Sequence, residues 1–146
     1  MTLSQRLTRA GLTFILLGSV AVALPQQDGA AQAYTTNCVP GTTIRFRLTD
    51  HSDFSDNSTA ILASGSTDTL ITLRSTDGGA TFTRLGNVPV MSSNTAIVSL
   101  NPVAATDGTG NVVATGNAQG GATVTATFTE SSATEIATFD FTVPAH

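Results

Sequence analysis

Ala122 to Phe128 reads ATVTATF, and Ala137 to Val143 reads ATFDFTV. In the first stretch Val124, Ala126 and Phe128 alternate with Thr123, Thr125 and Thr127. In the second, Phe139, Phe141 and Val143 share one side. Successive side chains of an extended chain point to opposite faces, so this period of two marks half-buried strands. The expectation is that Val124, Phe128, Phe139 and Phe141 lie buried between two sheets. Thr123, Thr125 and Thr127 should face water.

Outward from this pair, strand signals recur roughly every 8–15 residues, the spacing of short strands joined by turns. Thr42 to Leu48 alternates Ile44, Phe46 and Leu48 against Thr43, Arg45 and Arg47. Ala60 to Ala63 reads as a short edge strand, and Thr69 to Arg74 and Ala80 to Leu85 as a hairpin. Between these two, Asp77-Gly78 is the pairing a tight turn needs, because glycine accepts positive φ. Val88 to Met91 carries Pro89, a mark of edge strands. Ala96 to Leu100, a bend at Pro102 and a strand from Asn111 to Thr115 complete the series. Tyr34 to Gly41 reads as a polar lead-in and Thr49 to Thr59 (TDHSDFSDNST) as an acidic loop. No stretch beyond residue 33 has helical period. About seven to eight short strands predict an all-β sandwich.

The first 33 residues are set apart from that fold. Arg6 and Arg9 precede the uncharged apolar run Gly11 to Leu24, Pro25 ends it, and Ala31-Gln32-Ala33 follows. This order of basic, apolar and small residues predicts a cleavable secretory signal peptide at 1–33. As a helix the run would rise only about 21 Å, short of a hydrocarbon core of ~30 Å. One β-sandwich domain at 42–146 is expected after the lead-in 34–41, secreted or held at the cell surface.

Beyond residue 33 the chain holds four arginines, no lysine and nine carboxylates. Nucleic acid needs clustered basic groups and is not expected as a partner, nor is insertion into a membrane. Threonine is abundant, and its β-branch suits a pleated, half-exposed surface. Cys38 is the single cysteine, so the alternatives are a free thiol or an interchain bridge. A lipid anchor would want small apolar residues directly before it, where Thr35-Thr36-Asn37 stand.

The C-terminal half resembles the bacterial immunoglobulin-like domains of invasin- and intimin-type adhesins. Thr106-Asp107-Gly108-Thr109-Gly110 resembles that family's T-D-x-x-G turn. Gly120-Gly121-Ala122-Thr123-Val124-Thr125-Ala126 resembles its Gly-rich turn leading into T-V-T-A. Gly86-Asn87-Val88-Pro89-Val90 is similar to its G-N-P-V with one residue added. The resemblance implies an immunoglobulin-like sandwich with a spacer or adhesive role and no shared catalytic residues. Separately, Ser75 to Phe82 (STDGGATF) fits the Asp-box pattern of sialidase-like propellers, where it is a structural turn. One copy cannot make a propeller.

Chemistry is sparse. His51 and His146 are the only histidines. His51 near Asp50 and Asp53 could be written as a dyad, but no nucleophile elbow or oxyanion loop accompanies it. Zinc wants three or four His or Cys ligands, and too few are present. Sugar clefts stack aromatic faces, and the chain has no Trp and one Tyr. Asp50, Asp53 and Asp56, with Asn57 and Ser58, are the one candidate metal site. Calcium takes six to eight oxygens, and a solvated acidic loop is the alternative. Asn57-Ser58-Thr59 is also a formal glycosylation sequon. No cofactor other than calcium is suggested, and no catalytic residue.

The sequence therefore favours a non-enzymatic extracellular structural or adhesion module. Its partner would be another protein or a further copy of itself. A self-assembling filament or pilus subunit is the alternative, and a small secreted hydrolase a distant third.

Overall fold

Ten strands in two sheets make up the computed structural model, which describes residues 36–146. The expected signal peptide, 1–33, and Tyr34-Thr35 lie outside the described residues. In chain order the strands are β1 (Thr36–Cys38), β2 (Arg45–Thr49), β3 (Thr59–Ile61), β4 (Thr67–Ser75) and β5 (Thr83–Arg84). There follow β6 (Val90–Ser92), β7 (Val98–Asn101), β8 (Asn111–Gly116), β9 (Gly120–Glu130) and β10 (Ala133–Val143). No helix occurs among the described residues.

Sheet A has the order β1-β2-β4-β8-β7, with β5 pairing β4 off that path. Sheet B has the order β3-β10-β9-β6. All pairs are antiparallel except β3 on β10, which is parallel. β1 is not expected from the sequence because three polar residues are too short to carry a period, and of the expected strand Ala80 to Leu85 only Thr83–Arg84 pairs, as β5. Residues 36–38 of the expected lead-in form β1, in register with β2 from Thr36 opposite Arg47 to Cys38 opposite Arg45.

The β9–β10 hairpin supplies the floor of the core. Both strands are eleven residues long and pair from Ala133 opposite Glu130 to Val143 opposite Gly120. Val124, Phe128, Phe139 and Phe141 are fully buried, as their alternation predicts. From sheet A come Phe46, Leu48, Leu70, Val98, Val112 and Ala114, all buried in the same cluster. Phe46 of β2 stacks on Phe128 of β9 across the sandwich, with ring centroids 4.6 Å apart and planes 13° from parallel. Offset stacking of this kind adds to the burial of two large rings. At the sandwich's end Arg74 Nη2 of β4 meets Glu130 Oε1 of β9 at 2.9 Å, a second tie between the sheets.

Thr123, Thr125 and Thr127 are half-buried rather than turned freely to water. β9 is a central strand, so β10 and β6 flank its outer face on both sides.

Two buried threonines join the turn 106–110 to the rest. Thr72 Oγ1 donates to the Leu85 carbonyl at 2.7 Å, and Thr106 Oγ1 accepts from the Val88 amide at 3.0 Å. The fit leaves no room for side chains at two glycines. A Cβ on Gly86 would stand 2.3 Å from the Gly108 carbonyl oxygen. One on Gly110, whose φ is +83°, would stand 2.9 Å from the Leu85 oxygen. The same packing joins Gly86-Asn87-Val88 to the turn 106–110, with the Asn87 amide donating to the Asp107 carbonyl at 3.1 Å and the Thr106 amide to the Val88 carbonyl at 2.9 Å.

Phe141→Ala is expected to cost about 3–5 kcal/mol, a large share of a typical stability of roughly 5–15. Thr138→Ala, on the exposed face of the same strand, is expected to change stability by less than about 0.5 kcal/mol. Urea unfolding of both variants checks this, and equal losses would show that the faces are reversed.

Candidate functional site

The acidic loop 50–58 carries the chain from β2 in sheet A to β3 in sheet B. It is fastened by protein groups, and each carboxylate takes different ones. Asp50 Oδ1 accepts from Asn57 Nδ2 at 2.8 Å. Asp53 Oδ1 accepts from Ser55 Oγ at 2.7 Å and from the Ser55 amide at 3.1 Å. Those bonds, with His51 nearby, hold its carboxyl below the usual aspartate range. Asp56 Oδ2 accepts from Thr36 Oγ1 at 2.9 Å, and its Oδ1 lies 3.8 Å from Arg47 Nε. The expected convergence of Asp50, Asp53 and Asp56 on one ion is therefore not what the loop shows. Among the described residues no group of three or more His, Cys, Asp or Glu is placed to hold a metal. The same Asn57 amide donates to the Thr59 carbonyl at 3.1 Å, so the sequon's acceptor nitrogen is engaged twice.

Arg47 is the residue that sequence reading passed over. Its Nε donates to Thr36 Oγ1 at 2.9 Å and its Nη1 to the Phe54 carbonyl. Its guanidinium also lies 4.0 Å from the centre of the Phe82 ring. One side chain thus touches β1, the acidic loop and the residue just before β5. Alternation placed Arg47 on the outer face of β2, but its partners come from three separate segments, and no local spacing announces them.

His51, Ser55 and two aspartates lie close together, so the dyad reading can be judged on geometry. His51 Nδ1 is 2.5 Å from Ser55 Oγ, and its Nε2 is 3.6 Å from Asp50. Ser55 Oγ is also 2.7 Å from Asp53 Oδ1, so one hydroxyl is shared between His51 and Asp53 within a five-residue span. The arrangement fastens a loop.

The Asp-box hairpin is a hydrogen-bonded turn. Ser75 Oγ donates to Asp77 Oδ1 at 2.6 Å, and Thr81 donates through its amide at 2.9 Å and its hydroxyl at 2.6 Å. These donors lower the Asp77 carboxyl far below its ordinary range. Asp107 repeats the device, accepting from the amides of Asn111 and Thr109 and from the Thr109 hydroxyl, and it too is lowered. Asp68 goes the other way, raised chiefly by burial.

A concavity lies beside edge strand β6. It is an apolar groove of about 460 Å³, lined among others by Val90, Met91, Leu100, Val103, Thr125 and Thr127. None of its lining residues is charged. Met91 and Val103 are 66% and 82% exposed, unusual for large apolar side chains. Cys38, the free thiol, is exposed on β1, away from these residues in sequence. No helix among the described residues is long and apolar enough to cross a membrane.

No protein-family model matches the chain, and no curated protein matches it. A crystal structure of domains 4 and 5 of the S-layer protein SbsC is similar over 61% of this chain, at 26% identity and a TM-score of 0.44. The chain spans about half, 49%, of that chain's length.

Two measurements follow from these carboxylates. Asp53, Asp77 and Asp107 have depressed folded pKa values, so their contribution is complete above the unfolded aspartate value of about 3.9. It is lost as the pH falls below that through their folded values. The melting temperature should therefore hold between neutrality and about pH 5 and fall below about pH 4, with a shallower fall in Asp77→Asn. An unaltered slope in that variant would remove Asp77 from the account. The second measurement adds millimolar calcium or a chelator, and the melting temperature should stay in place. An ion at a hundredfold its Kd would add about 2.7 kcal/mol, and a rise of several degrees would show the loop regrouping around it.

Proposed function

We propose that this chain is a non-enzymatic extracellular structural or adhesion module built on an immunoglobulin-like sandwich. Strand order supports the fold half of this reading. With β2 and β3 as the two parts of a first strand that switches sheets, the remaining core strands are β4, β6, β7, β8, β9 and β10. Sheet A then runs first-second-fifth-fourth, and sheet B runs seventh-sixth-third. That order resembles the two sheets of a constant-type immunoglobulin domain, which supports the reading. The invasin/intimin resemblance of the C-terminal half agrees with that plan.

The observation that carries the functional half is the uncharged groove at β6, flanked by exposed Met91 and Val103. Large apolar side chains left exposed beside an uncharged groove offer a surface to a protein contact. Its occupant is a protein partner or a further copy of the chain, at the cell surface or outside the cell. The alternative, a self-assembling filament or pilus subunit, is favoured by a separate observation. β3 and β6 are opposite edges of sheet B, and β3 carries Ile61 at 78% exposure. Head-to-tail contacts between unlike edges build open filaments.

Sizing, negative-stain microscopy and binding to extracellular-matrix-coated surfaces, on the full chain and on a Met91→Glu, Val103→Asp variant, test both. The variant should melt within about 0.5 kcal/mol of the parent, since both sites are exposed. Surface binding by a monomer, lost in the variant, supports the adhesion reading. Regular filaments, lost in the variant, support the alternative. Association undiminished by the two substitutions overturns the groove as the contact face.

A further inference from the structure

We propose that β1 is a strap on the edge of sheet A that opens locally, with Thr36, Arg47 and Asp56 forming a latch that couples its opening to the acidic loop. β1 lies outside the seven-strand plan and pairs only with β2 in the sheet. It is three residues long and none of them is fully buried. Asn37 stands opposite Phe46, on the side that faces the core, and its Nδ2 is buried with no hydrogen-bond partner. An unpaired buried donor loosens the strand that carries it. Local openings are drawn from segments with little burial and few partners.

Against this loosening stands Thr36. Its hydroxyl donates to Asp56 at 2.9 Å and accepts from Arg47 at 2.9 Å. Arg47 in turn holds the Phe54 carbonyl and covers Phe82. When β1 leaves, Arg47 and Asp56 both lose the hydroxyl between them, and the loop loses one of its fastenings. Opening then uncovers the backbone edge of β2 and loosens residues 50–58 together. β1 also packs against β10, but the β9–β10 pairing that holds the remainder of the sandwich does not run through it.

Hydrogen exchange of the full chain, followed by mass spectrometry, tests this. Peptides covering 36–44 should exchange far faster than those of β9 and β10. Thr36→Val should accelerate exchange in both 36–44 and 50–58 by about tenfold or more, because both of its hydrogen bonds to charged groups are lost. It should leave β9 and β10 unchanged. Asn37→Val, which removes the unpaired amide while keeping a strand-forming side chain, should slow exchange in 36–44. Two results would overturn the proposal: 36–44 exchanging as slowly as β9 and β10, or Thr36→Val accelerating 36–44 alone. Faster exchange of 36–44 in Asn37→Val would do the same, because the buried amide would then be holding the strap rather than loosening it.

Discussion

Closure of two sheets over the ring pair Phe46 and Phe128 is the constraint from which the other features follow. Each ring comes from a different sheet, so neither is buried until the sheets meet. A single β-hairpin is marginal in water and needs further strands or a second layer to bury its apolar face. The β9–β10 hairpin presents Val124, Phe128, Phe139 and Phe141 along one face, and sheet A covers that face. Once the face is fixed, the outward set is fixed too, and threonine fills it because its branched side chain fits a pleated surface. The chain passes from β2 of sheet A to β3 of sheet B, and loop 50–58 makes that passage.

A crossing between sheets leaves backbone groups without ladder partners, and these must be satisfied some other way. The acidic loop shows how the sequence provides for this. Buried Thr49 donates to the Ser55 carbonyl at 2.7 Å and accepts from the His51 amide at 3.1 Å. Asp53 takes the Ser55 amide, and Arg47 takes the Phe54 carbonyl. Three carboxylates within seven residues look like a site for a cation. Here a cation is already supplied for one of them, as the guanidinium of Arg47.

What could be read from the sequence divides along the same line. Alternation over seven residues reports which face is buried, so β2, β9, β10 and their buried phenylalanines were legible. The turns at Asp77 and Asp107 were legible because their donors lie within four residues. β1 was not, since a three-residue polar strand has no period. The roles of Asp56 and Arg47 were not legible either, for their shared partner Thr36 is 20 and 11 residues away. The groove beside β6 is formed from residues 89–104 and two threonines of β9. Its existence depends on how the 102–105 segment returns beside Pro89, with which Ala105 makes an isolated bridge.

The unequal treatment of the two sheets bears on function. Three arginines, Arg45, Arg47 and Arg84, project from β2 and β5 of sheet A, and each is bound to a neighbouring segment. Arg47 and Arg84 also lie over Phe82 and Phe54. Ile71 and Leu73, on the outward side of β4, are buried there although they stand outside the inter-sheet cluster. Sheet A is thus covered on its outer side around β2, β5 and the second half of β4. The outer face of sheet B is mostly threonine with Asp140 of β10 among it, and Ile136, Ile61 and Met91 are exposed on β10 and on the two edge strands. The groove lies at the β6 edge of the more open sheet, against Ser99 and Leu100 of β7, which is the physical reason for proposing a contact there and not on the acidic loop.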